Sequence, residues 1–445
     1  MRSVDSGERL YALNAGKLMM PASNMKILTV AAAAGVLGWD ARLTTTLETS
    51  AAVRGGRLLG DLYVRGGGDP TINTRDHRAA AVFDGWAATL QEAGIAEIDG
   101  RIIGDDQAFD ESGLGEGWAW DDLQYGFAAP VGALQYNENV AVVTVAPAAA
   151  PGDPAAVRLQ NGSGLTLINR VVTGPAGSPL TIAYRRRLDA PVLEVSGSIA
   201  AGAPGITRNA AVVNPTLFFA ESLRDALVVR GIRVHGPAAD FDDLAGEPGV
   251  VPHHERRVLA MSQSPPLGEI ATVLMKVSQN LYAETLLKAM AADRGGLGTF
   301  EGGRLAVRET FAAWGIPDGS YILADASGLS RYNYVSAGTI TAILQRMHGD
   351  PAHRDRFLAT LPVAGRDGTI STRLRRTRAE GNAAAKTGSI SNVRSLSGFV
   401  RTRDGDTLAF AILANDFAVP PATVTWMIDL GVEILANFTR RAGDL

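Results

Sequence analysis

Apolar and polar positions follow two different rhythms along the 445 residues, and the change of rhythm divides the chain. After Pro21, Met25, Ile27, Leu28, Val30 and four successive alanines make residues 23–38 apolar on nearly every side, which predicts a helix buried all round. Gly35 and Gly38 mark its end. Ahead of it, residues 2–14 predict two short extended segments about Asp5-Ser6-Gly7, a hairpin signal. From about residue 61 to about residue 255, Gly, Pro and short strand-like runs take over, such as Leu62-Tyr63-Val64 and Ala141-Val142-Val143-Thr144-Val145. Two helical patterns, 77–93 and 215–230, interrupt this stretch. Beyond Pro265-Pro266, helical spacing returns through Ile270, Leu274, Leu281, Leu286 and Leu287, then again over 305–314. Near the end, 397–401 and 407–413 flank Asp404-Gly405 as a predicted hairpin. A final helix over 422–438 offers Val424, Met427, Ile428, Val432 and Leu435 to a core. The expected class is α/β in the α+β sense: residues 1–61 and 256–445 place helices on an antiparallel sheet, split by a large, mainly β insertion over 62–255.

Composition narrows the function. Hydrophobic residues make up 46% and charged residues 20%, enough for a sizeable core in a chain long enough for two or three domains. A net charge of -4 leaves no basic stripe for nucleic acid, and the arginine-rich run over 373–378 reads as a solvated loop. Cysteine is absent, which excludes disulfides, thiolate metal sites and cysteine catalysis. No stretch approaches the ~20 apolar residues of a membrane span, so no transmembrane segment is expected. Arg2, Asp5, Glu8 and Arg9 interrupt any signal-peptide core, so no signal peptide is expected in these residues. The basic residues are 37 arginines against five lysines, which makes each lysine informative: a desolvated lysine can give up its proton and act as a base, whereas arginine cannot.

Two of those lysines fall in motifs. Ser23-Asn24-Met25-Lys26, Ser278-Gln279-Asn280 and Lys386-Thr387-Gly388 match the S-x-x-K, S-x-N and K-T-G set, each occurring once. Ser and Lys at i and i+3 share one helix face, so the Lys26 amine can take the proton of the Ser23 hydroxyl, and the helix N-terminus favours the negative charge of acyl transfer. Apolar surroundings are expected to lower the pKa of Lys26. Ser278 is the candidate relay of a proton to the departing amine, and Asn280 the holder of a substrate amide. Lys386, with the hydroxyls of Thr387 and Ser389, reads as a receptor for a terminal carboxylate on an edge strand. Gly388 would let a substrate backbone come close, and the N–H groups of Ser23 and Ser389 would form an oxyanion hole. Taken singly, each motif also has a bland reading as a cap, a satisfied buried amide or a solvated edge lysine; order and context set these apart. Gly66-Gly67-Gly68 lacks the G-K-[ST] of a phosphate loop, and His253-His254-Glu255 lacks the spacing of a metal site, so no cofactor and no metal are expected.

With these residues in view, the sequence resembles the class C low-molecular-weight penicillin-binding proteins, the D-Ala-D-Ala carboxypeptidase/endopeptidase family. The likeness spans nearly the whole chain. It includes Met20-Pro21-Ala22-Ser23-Asn24-Met25-Lys26, Arg65-Gly66-Gly67-Gly68-Asp69-Pro70, residues 278–284, Asp325-Ala326-Ser327-Gly328-Leu329-Ser330-Arg331, Gly365-Arg366-Asp367-Gly368-Thr369 and Lys386-Thr387-Gly388-Ser389. The resemblance implies a transpeptidase-like domain split by inserted domains, an acyl-enzyme on Ser23, and peptidoglycan stem peptides as substrates. It also implies inhibition by β-lactams and a place in the periplasm or at the cell surface. Gly117-Trp118-Ala119-Trp120-Asp121-Asp122 is similar to the family's inserted domain, where an acidic residue meets the free amine of the substrate side chain; that role is carried to Asp122. Two departures stand out: Gln279 in the middle of the second motif, and only 22 residues before the nucleophile, which makes the chain look shortened against the family. The alternatives are a serine β-lactamase and a non-catalytic peptidoglycan-binding homologue.

Overall fold

The computed structural model describes residues 1–187, 190–244 and 246–440. Its helices are α1 (Met25–Val36), α2 (Arg78–Glu92), α3 (Pro215–Val229), α4 (Leu267–Lys276), α5 (Asn280–Ala292), α6 (Phe300–Ala313), α7 (Ala337–Gly349), α8 (Arg354–Thr360) and α9 (Pro421–Asn437). The chain folds into two compact units: Met1–Arg42, Gly115–Trp118 and Pro265–Leu445 form the first, and Leu43–Leu114 with Ala119–Ser264 the second. The sequence boundaries at 61/62 and 255/256 thus compare with 42/43 and 264/265. The difference has a simple cause. Strands Thr44–Thr49 and Arg257–Gln263 pair antiparallel with each other, and Thr44–Thr49 pairs with Leu62–Gly66, so both are built into the second unit's sheet.

In the first unit, four strands lie in the order Arg2–Ser3, Thr407–Asn415, Val393–Arg401, Ala384–Ile390, all antiparallel. The N-terminal hairpin is present as a bridge between Arg2 and Arg9, and its first strand extends this sheet. Side chains alternate across a strand, and here both faces are covered. Leu396 and Val400, with Ala385, Leu408 and Phe410, pack under Val424, Ile428, Val432 and Leu435 of α9. On the other face the Phe399 ring lies 5.4 Å from that of His348 on α7, and Ser395 Oγ donates to the Pro21 carbonyl at 2.7 Å. Met427, expected in the core, is 59% exposed, because the buried stripe of α9 runs through 424, 428, 432 and 435 and leaves 427 on its flank. α1 is buried from Met25 to Ala34. It packs against α4, α5, α6 and α7, which is why its sequence is apolar all round. Each aliphatic side chain so enclosed contributes about 1.5–3 kcal/mol.

The second unit holds a five-stranded sheet ordered Ala238–Asp240, Ile102–Asp105, Leu62–Gly66, Thr44–Thr49, Arg257–Gln263, a small four-stranded sheet and two three-stranded sheets. α2 and α3 bring Phe83, Trp86, Phe218 and Phe219 into one core with Tyr136. Val143, Val145, Val171, Leu193 and Val195 close a separate core between the three-stranded sheets.

Candidate active site

The nucleophile candidate sits in a strained turn. Ala22–Asn24 form a 3-10 turn running directly into α1, and Ala22 holds φ 47°. A residue other than glycine pays about 1–3 kcal/mol for a left-handed backbone, so the surroundings must enforce it. They do so with two glycines. A Cβ on Gly388 would run into Ser395 Oγ and lie 2.5 Å from the Pro21 carbonyl oxygen and 3.0 Å from the Ser23 nitrogen. A Cβ on Gly328, itself at φ +85°, would overlap the Ala22 carbonyl. Gly388 thus admits the nucleophile turn, where the sequence had suggested room for a substrate backbone. Asn24 Nδ2 completes the clamp by donating to the Lys386 carbonyl at 2.8 Å.

One turn after Ser23, Lys26 is fully buried. Its Nζ donates to Asn280 Oδ1 at 2.6 Å, to the Ser327 carbonyl at 2.7 Å and to Ser23 Oγ at 3.1 Å. The first two partners can only accept, so they fix two N–H bonds; the third direction, toward the Ser23 hydroxyl, becomes the lone pair when the amine is neutral. Burial brings the Lys26 pKa down to about 7, against the opposing pull of Asp325 and Glu284. At neutral pH a large share of the amine is therefore free to act as a base.

A second serine and lysine stand beside the first. Ser278 lies in the tight connection between α4 and α5 at φ 63°, and Lys386 Nζ donates to its Oγ at 2.9 Å and to the Thr387 carbonyl at 2.9 Å. Lys386 is fully buried, and desolvation followed by the charge of Lys26 holds its pKa well below the usual lysine range. The cap of α5 is Gln279, whose side chain accepts from the Leu281 N–H. Asn280 faces Lys26 with its carbonyl. Ala384–Ile390 is an edge strand in this sheet, with Lys386 opposite Ser397 and Gly388 opposite Ser395. By alternation Thr387 lies on the other side of the pleat, its hydroxyl bonded to Thr369 Oγ1 at 2.7 Å, and Ser389 is exposed. Asp122 belongs to the second unit, half-buried in a turn where its N–H donates to the Ala119 carbonyl at 3.0 Å.

Sequence reasoning missed the loop that carries the Ser327 carbonyl. Its side chains fell within a stretch already singled out, but a backbone acceptor leaves no signature in residue type. Thr369 also lay in a stretch already singled out, but its side-chain contact with Thr387 is made only by the fold.

A serine turn at the head of a buried helix, that serine facing a desolvated lysine, and a second serine–lysine pair at a sheet edge fit a serine-type hydrolase of the penicillin-binding class. Residues 1–435 match the D-Ala-D-Ala carboxypeptidase 3 (S13) family. A D-alanyl-D-alanine carboxypeptidase from Actinomadura sp. is 35% identical over 427 residues, covering 93% of this chain and 77% of that protein. The crystal structure of penicillin binding protein 4 from Haemophilus influenzae matches with a TM-score of 0.85 at 26% identity, over 98% of this chain and 95% of that one. The same protein complexed with a β-lactam matches at 0.78 and 25% identity, with the same coverage. The chain belongs to the S13 family of serine D-Ala-D-Ala carboxypeptidases, the class C penicillin-binding proteins.

Proposed function

We propose that this carboxypeptidase cleaves the terminal bond of peptidoglycan stem peptides ending in D-Ala-D-Ala, and also cuts cross-links, through an acyl-enzyme on Ser23. The observation that carries this reading is the environment of Lys26, whose two fixed N–H bonds aim its remaining position at Ser23 Oγ. Ser23 Oγ attacks the carbonyl of the penultimate residue while its proton passes to Lys26 Nζ. The oxyanion is received by the N–H groups of Ser23 and Ser389, consistent with how closely Gly388 approaches the Ser23 nitrogen. On collapse the C–N bond breaks, and the proton that Lys26 received passes through Ser278, which Lys386 orients, to the departing D-alanine amine, leaving Lys26 neutral again. Water then hydrolyses the ester and restores Ser23. Lys386, Thr387 and Ser389 serve the terminal carboxylate, Asn280 the substrate amide, and Asp122 the free amine of the stem-peptide side chain. β-Lactams, as strained acyl donors, acylate the same oxygen. The family's cell-wall substrate supports work in the periplasm or at the cell surface; among the described residues no helix is long and apolar enough to cross a membrane.

Labelled penicillin followed by peptide mapping tests the assignment. A long-lived adduct on Ser23, with release of D-alanine from a D-Ala-D-Ala peptide, is expected. An adduct on another serine would refute the nucleophile, and rapid release of hydrolysed penicillin would favour a β-lactamase.

A further inference from the structure

Lys26 is aimed by a carbonyl, and that carbonyl has to be held. The segment 325–328 carries it, and two buried carboxylates grip this segment by its backbone. Glu284, one helical turn beyond Asn280 on α5, accepts the Ala326 N–H at Oε2 (3.0 Å) and the Ser327 N–H at Oε1 (2.9 Å). Asp325 accepts the Gly328 N–H at 2.7 Å and Asn333 Nδ2 at 2.6 Å on one oxygen, and the Ser330 N–H at 2.6 Å and Trp118 Nε1 at 2.8 Å on the other. Both carboxylates are fully buried. Thr29 of α1 seals the segment from the other side by donating to the Ala326 carbonyl at 2.7 Å. Trp118 belongs to the short piece of chain, Gly115–Trp118, that joins the first unit from within the insertion.

We infer that Glu284 and Asp325 are positioning residues for the base: they fix the segment 325–328 so that the Ser327 carbonyl stays on Lys26 Nζ, with Trp118 as the outer clamp on Asp325. This rests on Lys26 being the base. α5 then does two jobs with one face, since Asn280 holds Lys26 directly and Glu284 holds it through the loop.

The arrangement has an electrical consequence. The groups around Lys26 are Ser23 from its own turn, Asn280 and Glu284 from α5, Ser327 and Asp325 from the loop, and the cation Lys386 from the edge strand. One turn after Glu284, Lys288 Nζ lies 4.8 Å from the centre of the Phe300 ring, and Arg304 of α6 donates to the Ala324 carbonyl and lies 3.7 Å from Glu116. Of the two carboxylates, Asp325 in the loop gives the larger electrostatic support to a charged Lys26, and Glu284 on α5 the smaller. Burial and the nearby Asp325 push Glu284 itself up to about 8. Glu284 is thus mostly protonated where Lys26 titrates, and Glu284→Gln acts through the carbonyl. A Gln side chain has one oxygen for two backbone N–H groups, so the Ser327 carbonyl loosens from Nζ, and Lys26, losing an acceptor that favours its charged form, sheds its proton at lower pH.

The test is the pH profile of acylation by a fluorescent penicillin, measured on the full chain with thermal unfolding as a check on folding. In the Glu284→Gln variant the acid limb is expected to move to lower pH by at least about 0.5 unit, with a reduced plateau rate. Trp118→Phe removes one donor from Asp325, strengthens its negative potential at Lys26, and is expected to move the limb the other way. A folded Glu284→Gln protein whose limb stays in place, with only the plateau lowered, would overturn the inference. If Glu284→Gln does not fold, Trp118→Phe decides: an upward shift supports the positioning role and an unmoved limb rejects it. Absence of any acid limb near neutrality in the unmodified enzyme would instead count against Lys26 as the base, a separate failure.

Discussion

Both units bury basic side chains, and one from each, Arg256 and Lys26, are treated in opposite ways. In the second unit Arg256 has no exposed side-chain surface; it donates to Asp105 Oδ2 at 2.6 Å and to the Val251 carbonyl at 2.9 and 2.7 Å, and its guanidinium lies 3.8 Å from the centre of the Tyr63 ring. Glu48 adds a second carboxylate at 3.7 Å. In the first unit Lys26 is equally buried but is hydrogen-bonded by neutral oxygens, with Asp325 and Glu284 acting on it through space rather than by contact. A buried charge with direct anionic contact is fixed in its ionised form and ties strands together. A buried amine without such contact is poised to exchange a proton. The contrast separates a structural cation from a chemical one without reference to motif.

The comparison breaks most visibly at the base. Lys26→Arg keeps the charge but cannot supply a neutral nitrogen, so penicillin acylation of Ser23 is expected to fall by about 10³-fold or more, while Ser23→Ala, which lacks the hydroxyl, is expected to form no adduct. Acylation at a rate near that of the unmodified enzyme, read by gel fluorescence, would remove Lys26 from its role. The structural cation should behave otherwise. Arg256→Met leaves Asp105 buried without its partner and is expected to cost about 3–5 kcal/mol in urea unfolding, while penicillin acylation per folded molecule stays close to normal. Equal loss of acylation and stability there would erase the distinction between the two cations.

A smaller effect concerns Lys386, which is bonded to Ser278 and is also assigned to the substrate carboxylate. Lys386→Ala combined with peptides whose terminal carboxylate is amidated should show a coupling of about 1–3 kcal/mol. Additive losses would leave Lys386 with the Ser278 role alone. The smallest effect is in stability against pH. The folded pKa of Lys26 lies near 7 and its unfolded value near 10.5, so between these the unfolded chain binds more protons and stability rises with pH. Glu284, raised from 4.5 to about 8, acts in the opposite sense between those values, which leaves pH 8 to 10 as the clean window. There the unfolding midpoint of the parent enzyme should gain on that of Lys26→Met as pH increases; parallel curves would contradict a depressed Lys26.

Much of this was readable beforehand, for reasons that differ by element. The all-apolar run of α1, the Asp404-Gly405 turn and the terminal helix are set by local pattern, and the structure has them within a residue or two, apart from Met427 on the flank of its stripe. The edges of the insertion were displaced because Thr44–Thr49 and Arg257–Gln263 find each other across more than 200 residues, and no local pattern announces a pairing of that range. Ser23, Lys26, Ser278, Asn280 and Lys386 were visible as spaced side chains, and the structure brings them together. The loop carbonyl of Ser327, the strain at Ala22 and Ser278 and the reason for Gly388 were not, since each is a property of backbone met by backbone.

That backbone clamp also sets when the site comes into being. The turn carrying Ser23 is shaped by Gly328 and Gly388, some 300 and 360 positions further along the chain. Such distant closures are formed late, because loop entropy must be overcome before the contacts reward it. A chain still emerging from the ribosome, or one with its C-terminal sheet unzipped, therefore carries the serine and the lysine without the geometry that joins them. Reactivity of Ser23 toward a β-lactam is then expected to appear only with completed folding.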